Sequence, residues 1–85
     1  MVIGLMMVKA TPGQERQVYR SLKETDGVTR VYHIFGEYDF FVVAEAGSLP
    51  DIKKLVYGLK EIYDVTGTRA IVSGNESNFR WAEAC

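Results

Sequence analysis

The sequence predicts an α+β fold in which strands and helices follow the order βαββαβ. Four segments rich in β-branched and aromatic residues alternate with two segments of helical periodicity. The 85 residues suffice for a single small domain. Because crossover connections are right-handed, this order gives the ferredoxin-like sandwich, an antiparallel four-stranded sheet with the first and third strands in its centre and both helices on one face.

The first half of the chain is predicted to form a strand and then a helix. Residues 2–8 are apolar at both alternating positions, which is typical of a strand that is buried on both faces. Thr11 and Gln14 have the spacing of a capping box, and Pro12 suits the first helical position. We therefore expect a helix that closes near Gly27, with an apolar face formed by Val18, Tyr19 and Leu22.

A hairpin is predicted in the middle of the chain. Residues 28–35 have a β-type composition, and residues 36–39 have the composition of a turn. Residues 40–44 form a second segment that is apolar at both alternating positions. We expect Gly36 to adopt a positive φ, a conformation that glycine takes without steric cost.

The second half is predicted to repeat the helix and the strand. Ser48 can cap a helix with Pro50 in its first turn. Gly58 lies inside this helix and costs up to about 1 kcal/mol relative to alanine, so we expect a close helix crossing there. The last strand is expected over residues 65–73. The apolar stripe of the helix is predicted to comprise Leu49, Ile52, Leu55, Val56, Leu59 and Ile62.

The two central strands predict a surface for self-association. Both are apolar on two faces, yet the helices can cover only one face of the sheet. The other face is expected to present Met6 or Met7 and Val42 or Val43. Burying roughly several hundred Å² of such surface contributes on the order of 10 kcal/mol before entropic costs, which is comparable to the stability of a small domain. We therefore expect an obligatory dimer with an assembly like that of an α+β barrel.

Composition and charge exclude several classes of protein. The 10 basic and 11 acidic residues give a formal net charge of −1, without long runs of like charge, so no direct contact with nucleic acid is expected. The apolar residues 2–8 are too few to span a membrane, and the first cation, Lys9, follows them, which argues against a signal peptide. The single cysteine, Cys85, indicates a reducing compartment, and we expect a cytoplasmic location.

Several ferredoxin-like families lack their characteristic site residues in this chain. Soft-metal chaperones need thiolates in the first loop, where residues 11–14 contain no cysteine. An acylphosphatase-like site needs an arginine in that loop, but Arg16 lies within the predicted helix. Residues 36–40 are acidic, unlike the corresponding strand of an RNA-recognition module. We expect no bound metal and no cofactor.

Three stretches of the sequence carry a resemblance to one family. They read TPGQE at residues 11–15, VYHIFGEYDF at residues 31–40 and VTGTRAIV at residues 65–72. Together they resemble the effector-binding (RAM) domain of the Lrp/AsnC transcription regulators. The most specific part is the Gly-x-Tyr-Asp turn at its proper place in the βαββαβ order. The resemblance covers residues 1–74, and residues 75–85 are expected to form a C-terminal tail.

The resemblance implies both assembly and ligand binding. Domains of this kind form dimers through their sheets, often assemble into rings of eight, and bind small effectors, usually amino acids, near the hairpin turn between dimers. Most relatives carry a helix-turn-helix module before this domain, whereas the present sequence begins with its first strand and so resembles the form without that module. We expect a homo-oligomeric amino-acid sensor that modulates transcription through full-length regulators of the same type.

The expected effector site comprises the turn and one residue of the last strand. An amino acid needs acceptors for its ammonium group and donors for its carboxylate. Asp39 can accept from the ammonium, the amides around Gly36 can donate to the carboxylate, and Thr68 can supply a hydroxyl from another subunit. Tyr38 is expected to line the pocket, and Glu37 belongs to the same turn. Asp39 also has a structural interpretation, a hydrogen bond to the backbone of its own turn.

Other functions stay open at this point. Phe35 and Ala70 replace hydroxyl-bearing residues that are common in the family, which makes the pocket less polar and favours an oligomerisation adaptor without a ligand as one alternative. Another alternative is a small dimeric α+β-barrel enzyme, of monooxygenase or isomerase type, with His33 as the acid–base group in a cavity between sheet and helices. Otherwise His33 is expected to be a half-buried sheet residue. Phe79 and Trp81 are expected to pack on a neighbouring subunit.

Overall fold

The structure has the predicted order of strands and helices, with one strand added. This computed structural model describes residues 1–73 and 79–82, so the expected boundary between domain and tail lies outside the described residues, as do Cys85 and the side chains of Phe79 and Trp81. The elements are β1 (Val2–Ala10), α1 (Glu15–Glu24), β2 (Val28–His33), β3 (Phe40–Ala46), α2 (Leu49–Lys60), β4 (Val65–Ser73) and β5 (Phe79–Ala82).

All neighbouring strands of the sheet are antiparallel. The strand order is β2-β3-β1-β4-β5, so β1 and β3 are flanked on both sides, as predicted. Met6 lies opposite Val42 of β3 and opposite Ala70 of β4. The added strand β5 pairs with β4, with Ala82 opposite Ala70, and it turns β4 into an interior strand.

The two helices bury one face of the sheet. Every second residue of β1 lies on this face and is buried, and Gly4 is one of these residues. A Cβ at Gly4 would lie 3.1 Å from Ile52 Cγ1, so the glycine lets α2 approach the sheet closely. The buried apolar residues are Val2, Met6, Val8, Ala10, Val18, Leu22, Phe40, Val42, Ala44, Ile52, Val56, Leu59 and Ala70.

In the part of the chain that the structure describes, no helix covers the opposite face, which is apolar in its centre. Of the alternatives that the sequence left open, Met7 and Val43 lie on this side, whereas Met6 and Val42 face the helices. Ile3 on the same side is 38% exposed. The predicted uncovered apolar surface is therefore present, and we call it the open face; its residues are Ile3, Leu5, Met7, Lys9, Arg30, Tyr32, Phe41, Val43, Glu45, Arg69 and Ile71.

The predicted capping box of the first helix is wrong. α1 begins at Glu15, and its N-cap Gln14 makes no side-chain capping hydrogen bond. Pro12 lies before the helix. Thr11 is used elsewhere, because its N–H donates to Asp64 O at 2.8 Å and its hydroxyl donates to the same oxygen at 3.3 Å. This tertiary contact ties the β1–α1 connection to the turn before β4.

Two predicted boundaries also shift by a few residues. α1 ends at Glu24, and Gly27 lies in the following turn with a φ of +95°. β2 ends at His33, two residues before the predicted end at Phe35. After β2 the composition is misleading because Ile34 and Phe35, which belong to the connection, also have apolar side chains.

The second helix is capped as predicted, but two details of its packing differ. The Ser48 hydroxyl accepts from the Asp51 N–H at 3.3 Å. Leu49 is 40% exposed and does not belong to the apolar stripe, while Ile62 packs on the core from beyond the helix end. Outside the backbone of α2 and the two chain neighbours, no described residue has an atom within 4 Å of a Cβ placed at Gly58, so the predicted close helix crossing is not found within the described chain.

Candidate functional site

The connection between β2 and β3 is an exposed turn on a fixed base. It comprises residues 34–39. The Ile34 N–H donates to Asp39 O at 2.9 Å and closes the base of the turn. Gly36 has the predicted positive φ, +114°. Phe35 beside it is 95% exposed.

The predicted site residues of this turn differ in exposure. Gly36 and Glu37 are exposed, whereas Tyr38 and Asp39 are half-buried. Apart from its two chain neighbours, no described residue has an atom within 4 Å of a Cβ placed at Gly36. The backbone at the tip of the turn is therefore open to a small molecule, while the base is packed against the sheet.

Asp39 lies beside the end of β1 and makes three hydrogen bonds, one as a donor and two as an acceptor. Its N–H donates to Val8 O at 2.9 Å, and its carbonyl accepts from Ile34. Its Oδ2 accepts from the Ala10 N–H at 2.8 Å. The backbone pairing of β1 with β3 ends at Val8 and Phe40. The Ala10 N–H therefore has no strand partner on the β3 side, and the Asp39 carboxylate accepts its hydrogen bond instead. The Asp39 side chain therefore has a structural role, as one of the two interpretations predicted. Its hydrogen-bond partner, however, is the backbone of β1 and not the backbone of its own turn.

Thr68 lies apart from the turn within one chain. It is opposite Val8 on the β4 side, while Phe40 is opposite Val8 on the β3 side. Thr68 and Phe40 are therefore two strand spacings apart, about 10 Å. Thr68 is half-buried. The structure therefore does not bring Thr68 and the turn together within one chain.

Two residues near the same end of the sheet were missed by the sequence analysis. Tyr63 is 83% exposed, and Asp64 has a φ of +72°. The carbonyl of Asp64 holds Thr11, the residue that directly follows the one held by the Asp39 carboxylate. The sequence did contain a signal for these residues, because a Tyr-Asp pair stands directly before the first residue of β3 and again directly before the first residue of β4.

His33 is exposed, so the expectation of a half-buried sheet residue is wrong. Its ring centroid lies 5.3 Å from that of Phe40 and 5.9 Å from that of Phe35. Phe40 also contacts Tyr19 of α1, at 5.8 Å between centroids. His33 therefore belongs to an aromatic group at the margin of the core, and this position does not match an acid–base group enclosed between sheet and helices.

The described residues contain a concavity on the open face. Its volume is about 210 Å³. It follows the register of the sheet, since Met7 lies between Phe41 and Arg69, and Leu5 lies one row further along. The concavity is thus on the side away from the helices, and it is lined by Leu5, Met6, Met7, Phe41, Arg69 and Ile71.

Neither a metal-binding cluster nor a membrane-spanning helix is found among the described residues. Residues 1–73 and 79–82 contain no group of three or more His, Cys, Asp or Glu side chains placed to hold a metal ion. None of the helices in these ranges combines the length and the apolar character needed to cross a membrane.

Comparison with known families gives one match over most of the chain. The family described as the Lrp/AsnC ligand binding domain matches residues 3–77. An uncharacterised HTH-type transcriptional regulator of Pyrococcus horikoshii is 29% identical over 79 residues. That match covers 91% of this chain and 53% of the relative, so the chain spans about half the length of the regulator.

Solved structures share the fold. The crystal structure of FFRP-DM1 superimposes with a TM-score of 0.81 at 24% identity and covers 86% of this chain and 99% of its own. A hypothetical protein from Pyrococcus horikoshii gives a TM-score of 0.79 at 24% identity, with 86% of this chain and 89% of that chain covered. AsnC of E. coli gives a TM-score of 0.74 at 18% identity, with coverages of 84% and 49%.

Proposed function

The chain belongs to the Lrp/AsnC ligand-binding domain family, and on this basis we propose that it binds a free amino acid in the cytoplasm and assembles through its open face. Its relatives include an HTH-type transcriptional regulator, which supports a role in regulation over one in catalysis. The proposed output is a change in the assembly of regulators, without DNA contact by this chain.

The observation that carries the proposal is the exposed turn on its fixed base. Binding costs less free energy when the site is already ordered. The hydrogen bonds of Asp39 to β1 hold the base, while the backbone around Gly36 stays open. A short ligand with a carboxylate can accept hydrogen bonds from the open amides, and its ammonium group can approach the Asp39 carboxylate.

Self-association is the second part of the proposal. The centre of the open face is apolar, and its central residues Leu5, Met7, Phe41 and Val43 are only half-buried in the single chain. Exposed apolar surface of this kind is typical of an interaction site. A second copy of the chain would cover it.

Action on transcription would follow from mixed assembly. A mixed dimer with a full-length regulator would carry half the DNA-binding modules of a regulator dimer, so its affinity for the operator should fall. Co-purification from the native cell extract, followed by a gel-shift assay with and without this protein, tests this step. Salt-sensitive, sequence-specific retention of DNA by the isolated 85-residue chain would contradict it.

Amino-acid binding is tested by thermal unfolding and titration calorimetry with each of the twenty amino acids. A ligand that binds only the folded state stabilises it by about 2.7 kcal/mol at one hundred times its dissociation constant. At least one amino acid should therefore raise the melting temperature and produce binding heat. If all twenty produce neither, the sensing proposal is wrong.

Substitutions of Asp39 separate its two roles. Asp39→Asn keeps an acceptor for the Ala10 N–H but removes the charge, so the free protein should keep its stability and lose the ligand-induced shift. Asp39→Ala should also lower the free energy of unfolding, by about 1–2 kcal/mol, because a partly buried donor loses its partner. Asp26→Asn, at an exposed position outside this turn, is the control. If the amino acid raises the melting temperature of Asp39→Asn as much as that of the wild type, the carboxylate does not bind the ligand and has a structural role only.

One observation favours the adaptor as a second candidate. Phe35 is 95% exposed at the tip of the turn, where an aromatic side chain can dock on a protein partner. In that case Phe35→Ser should abolish co-purification of a partner without changing the melting temperature. Under the sensing proposal, Phe35→Ser should change the response to the amino acid.

A further inference from the structure

Four aromatic rings form a continuous strip from the turn after β2 to the helix α1. The ring centroid of His33 lies 5.9 Å from that of Phe35 and 5.3 Å from that of Phe40. Phe40 in turn lies 5.8 Å from Tyr19 of α1. We call these four residues the aromatic strip. Because Phe40 belongs to the core that the helices cover, the strip lies on the helix side of the sheet and leaves the open face free.

Three members of the strip are exposed although the fourth holds them to the core. Phe35 is 95% exposed, Tyr19 is 37% exposed, and His33 is exposed as well. Phe40 is buried and contacts both Tyr19 and His33. Contiguous exposed aromatic surface is typical of an interaction site. Binding on such a surface costs less free energy when its side chains are already ordered by packing.

A row of basic residues runs beside the strip on α1. Arg16 lies one turn before Tyr19 and Lys23 one turn after it, since residues three or four positions apart share a face of a helix. The Lys23 ammonium lies 5.7 Å from the centre of the Tyr19 ring. Arg20 follows Arg16 by four residues. We call Arg16, Arg20 and Lys23 the basic row. All three residues are exposed, so a partner that covers the helix end of the strip also meets positive charge.

We propose that the aromatic strip and the basic row together bind an acidic segment of a partner protein, one that carries an aromatic or large apolar residue. This residue would pack on Phe35 and His33, while the carboxylates would lie along the basic row. Each step between neighbouring rings is shorter than 6 Å. An extended segment of about six residues therefore spans the strip, at about 3.3 Å per residue.

This inference rests on the adaptor candidate described above, in which Phe35 docks on a protein, and it names the chemistry of that protein. It depends neither on amino-acid binding nor on self-association through the open face. The adaptor candidate named Phe35 alone. The rings behind Phe35 and the charges beside them are what specify an acidic partner with an apolar anchor.

The neighbouring acids favour a peptide over single-stranded nucleic acid, which basic and aromatic residues together can also bind. Glu24 follows Lys23 directly, and Glu37 lies two residues after Phe35; both are exposed. A nucleic acid carries a phosphate at every nucleotide, so its backbone would meet these carboxylates. A peptide carries its charges only at selected positions and can leave the acids of this chain unopposed.

Fluorescence anisotropy with a labelled synthetic peptide tests the proposal. The peptide holds one phenylalanine flanked on both sides by glutamates, and it is titrated with the full chain. We expect binding that weakens as salt is added, because the charges are exposed. Replacing the phenylalanine by alanine, or the glutamates by glutamines, should each raise the dissociation constant by roughly tenfold or more.

Variants of the chain should mirror these two changes in the peptide. Phe35→Ser removes the exposed anchor of the strip, and Arg16→Glu combined with Arg20→Glu reverses the charge of the basic row. Each should raise the dissociation constant of the peptide by roughly tenfold or more. Circular dichroism checks that the variants are folded. Arg16→Gln combined with Arg20→Gln replaces the charge reversal if that variant is not.

The helix α2 supplies matched controls. Tyr57 is 62% exposed, and the Lys60 ammonium lies 5.2 Å from the centre of its ring. Lys53 and Lys54 are exposed on the same helix. Tyr57→Ser removes an exposed ring outside the strip, and Lys53→Glu combined with Lys54→Glu changes the net charge as much as the reversal on α1 does. Both controls should leave the dissociation constant of the peptide unchanged.

The outcomes distinguish the acidic chemistry from the adaptor candidate. The inference is overturned if the wild-type chain does not bind the peptide, if the α1 and α2 variants weaken binding equally, or if single-stranded oligouridylate binds more tightly than the peptide. If Phe35→Ser abolishes co-purification of a cellular partner while the peptide does not bind, the adaptor candidate stands and the acidic chemistry is wrong.

Discussion

Gly27 and Asp64 occupy equivalent places in the two turns that lead from a helix into a strand. Gly27 precedes Val28 with a φ of +95°, and Asp64 precedes Val65 with a φ of +72°. In each turn the strand residue donates back across three residues, at 3.2 and 3.1 Å. Left-handed backbone is costly for residues with a Cβ, although Asp tolerates it better than most. The second turn therefore carries strain that the first does not.

At this scale we predict opposite signs for two substitutions. Asp64→Gly should raise the free energy of unfolding by about 0.5–1 kcal/mol, because relief of the left-handed strain outweighs the added chain entropy. Gly27→Ala should lower it by about 2 kcal/mol or more, because its Cβ would lie 2.8 Å from Leu55 Cδ2 and 3.2 Å from Glu45 O. Urea denaturation at a fixed protein concentration measures both. A loss of stability in Asp64→Gly would show that the aspartate side chain contributes more than its strain costs.

At the scale of a single element, α2 holds a glycine that its packing does not require. Gly58 is exposed, and outside the backbone of α2 and the two chain neighbours no described residue has an atom within 4 Å of a Cβ placed there. Gly58→Ala should therefore raise the free energy of unfolding by up to about 1 kcal/mol, the helix propensity difference between the two residues.

Gly4 provides the contrast for this prediction. Gly4→Ala should lower the free energy of unfolding by about 1 kcal/mol or more, because Ile52 is fully buried and has little room to move from the added methyl group. The same urea measurement applies to both variants. If Gly58→Ala is also destabilising, the surface of α2 around Gly58 is covered in the assembled protein.

For the whole molecule, stability and assembly should be linked. A small domain buries a limited core, and covering the open face adds apolar burial that depends on protein concentration. The melting temperature should therefore rise with concentration. Met7→Lys should remove this dependence and lower the melting temperature, because it puts a charge in the centre of the open face. Tyr57→Lys is the matched control on α2, where the tyrosine is 62% exposed. A melting temperature that does not change with concentration in the wild type would contradict the linkage.

The amino-acid pattern by itself determined the order of the elements from β1 to β4, the central strands and the existence of an uncovered apolar face, but not the added strand β5. The apolar run of residues 2–8 and the cap at Ser48 are local signals, and the structure has the corresponding strand and cap. The positive φ of Gly36 was predictable for the same reason, because backbone sterics depend only on the residue itself. The family resemblance, too, rested on short stretches of sequence, and the family match confirms it.

Only the tertiary structure decided which partners the polar groups find. The Thr11 hydroxyl reaches Asp64, 53 residues away, instead of capping the next helix. Asp39 serves Ala10, 29 residues away, instead of its own turn. The same holds for the choice of Met7 over Met6 on the open face, because the helices cover the row of β1 that contains Met6. Periodicity describes one segment at a time, whereas hydrogen-bond partners and register depend on residues that become neighbours only when the chain folds.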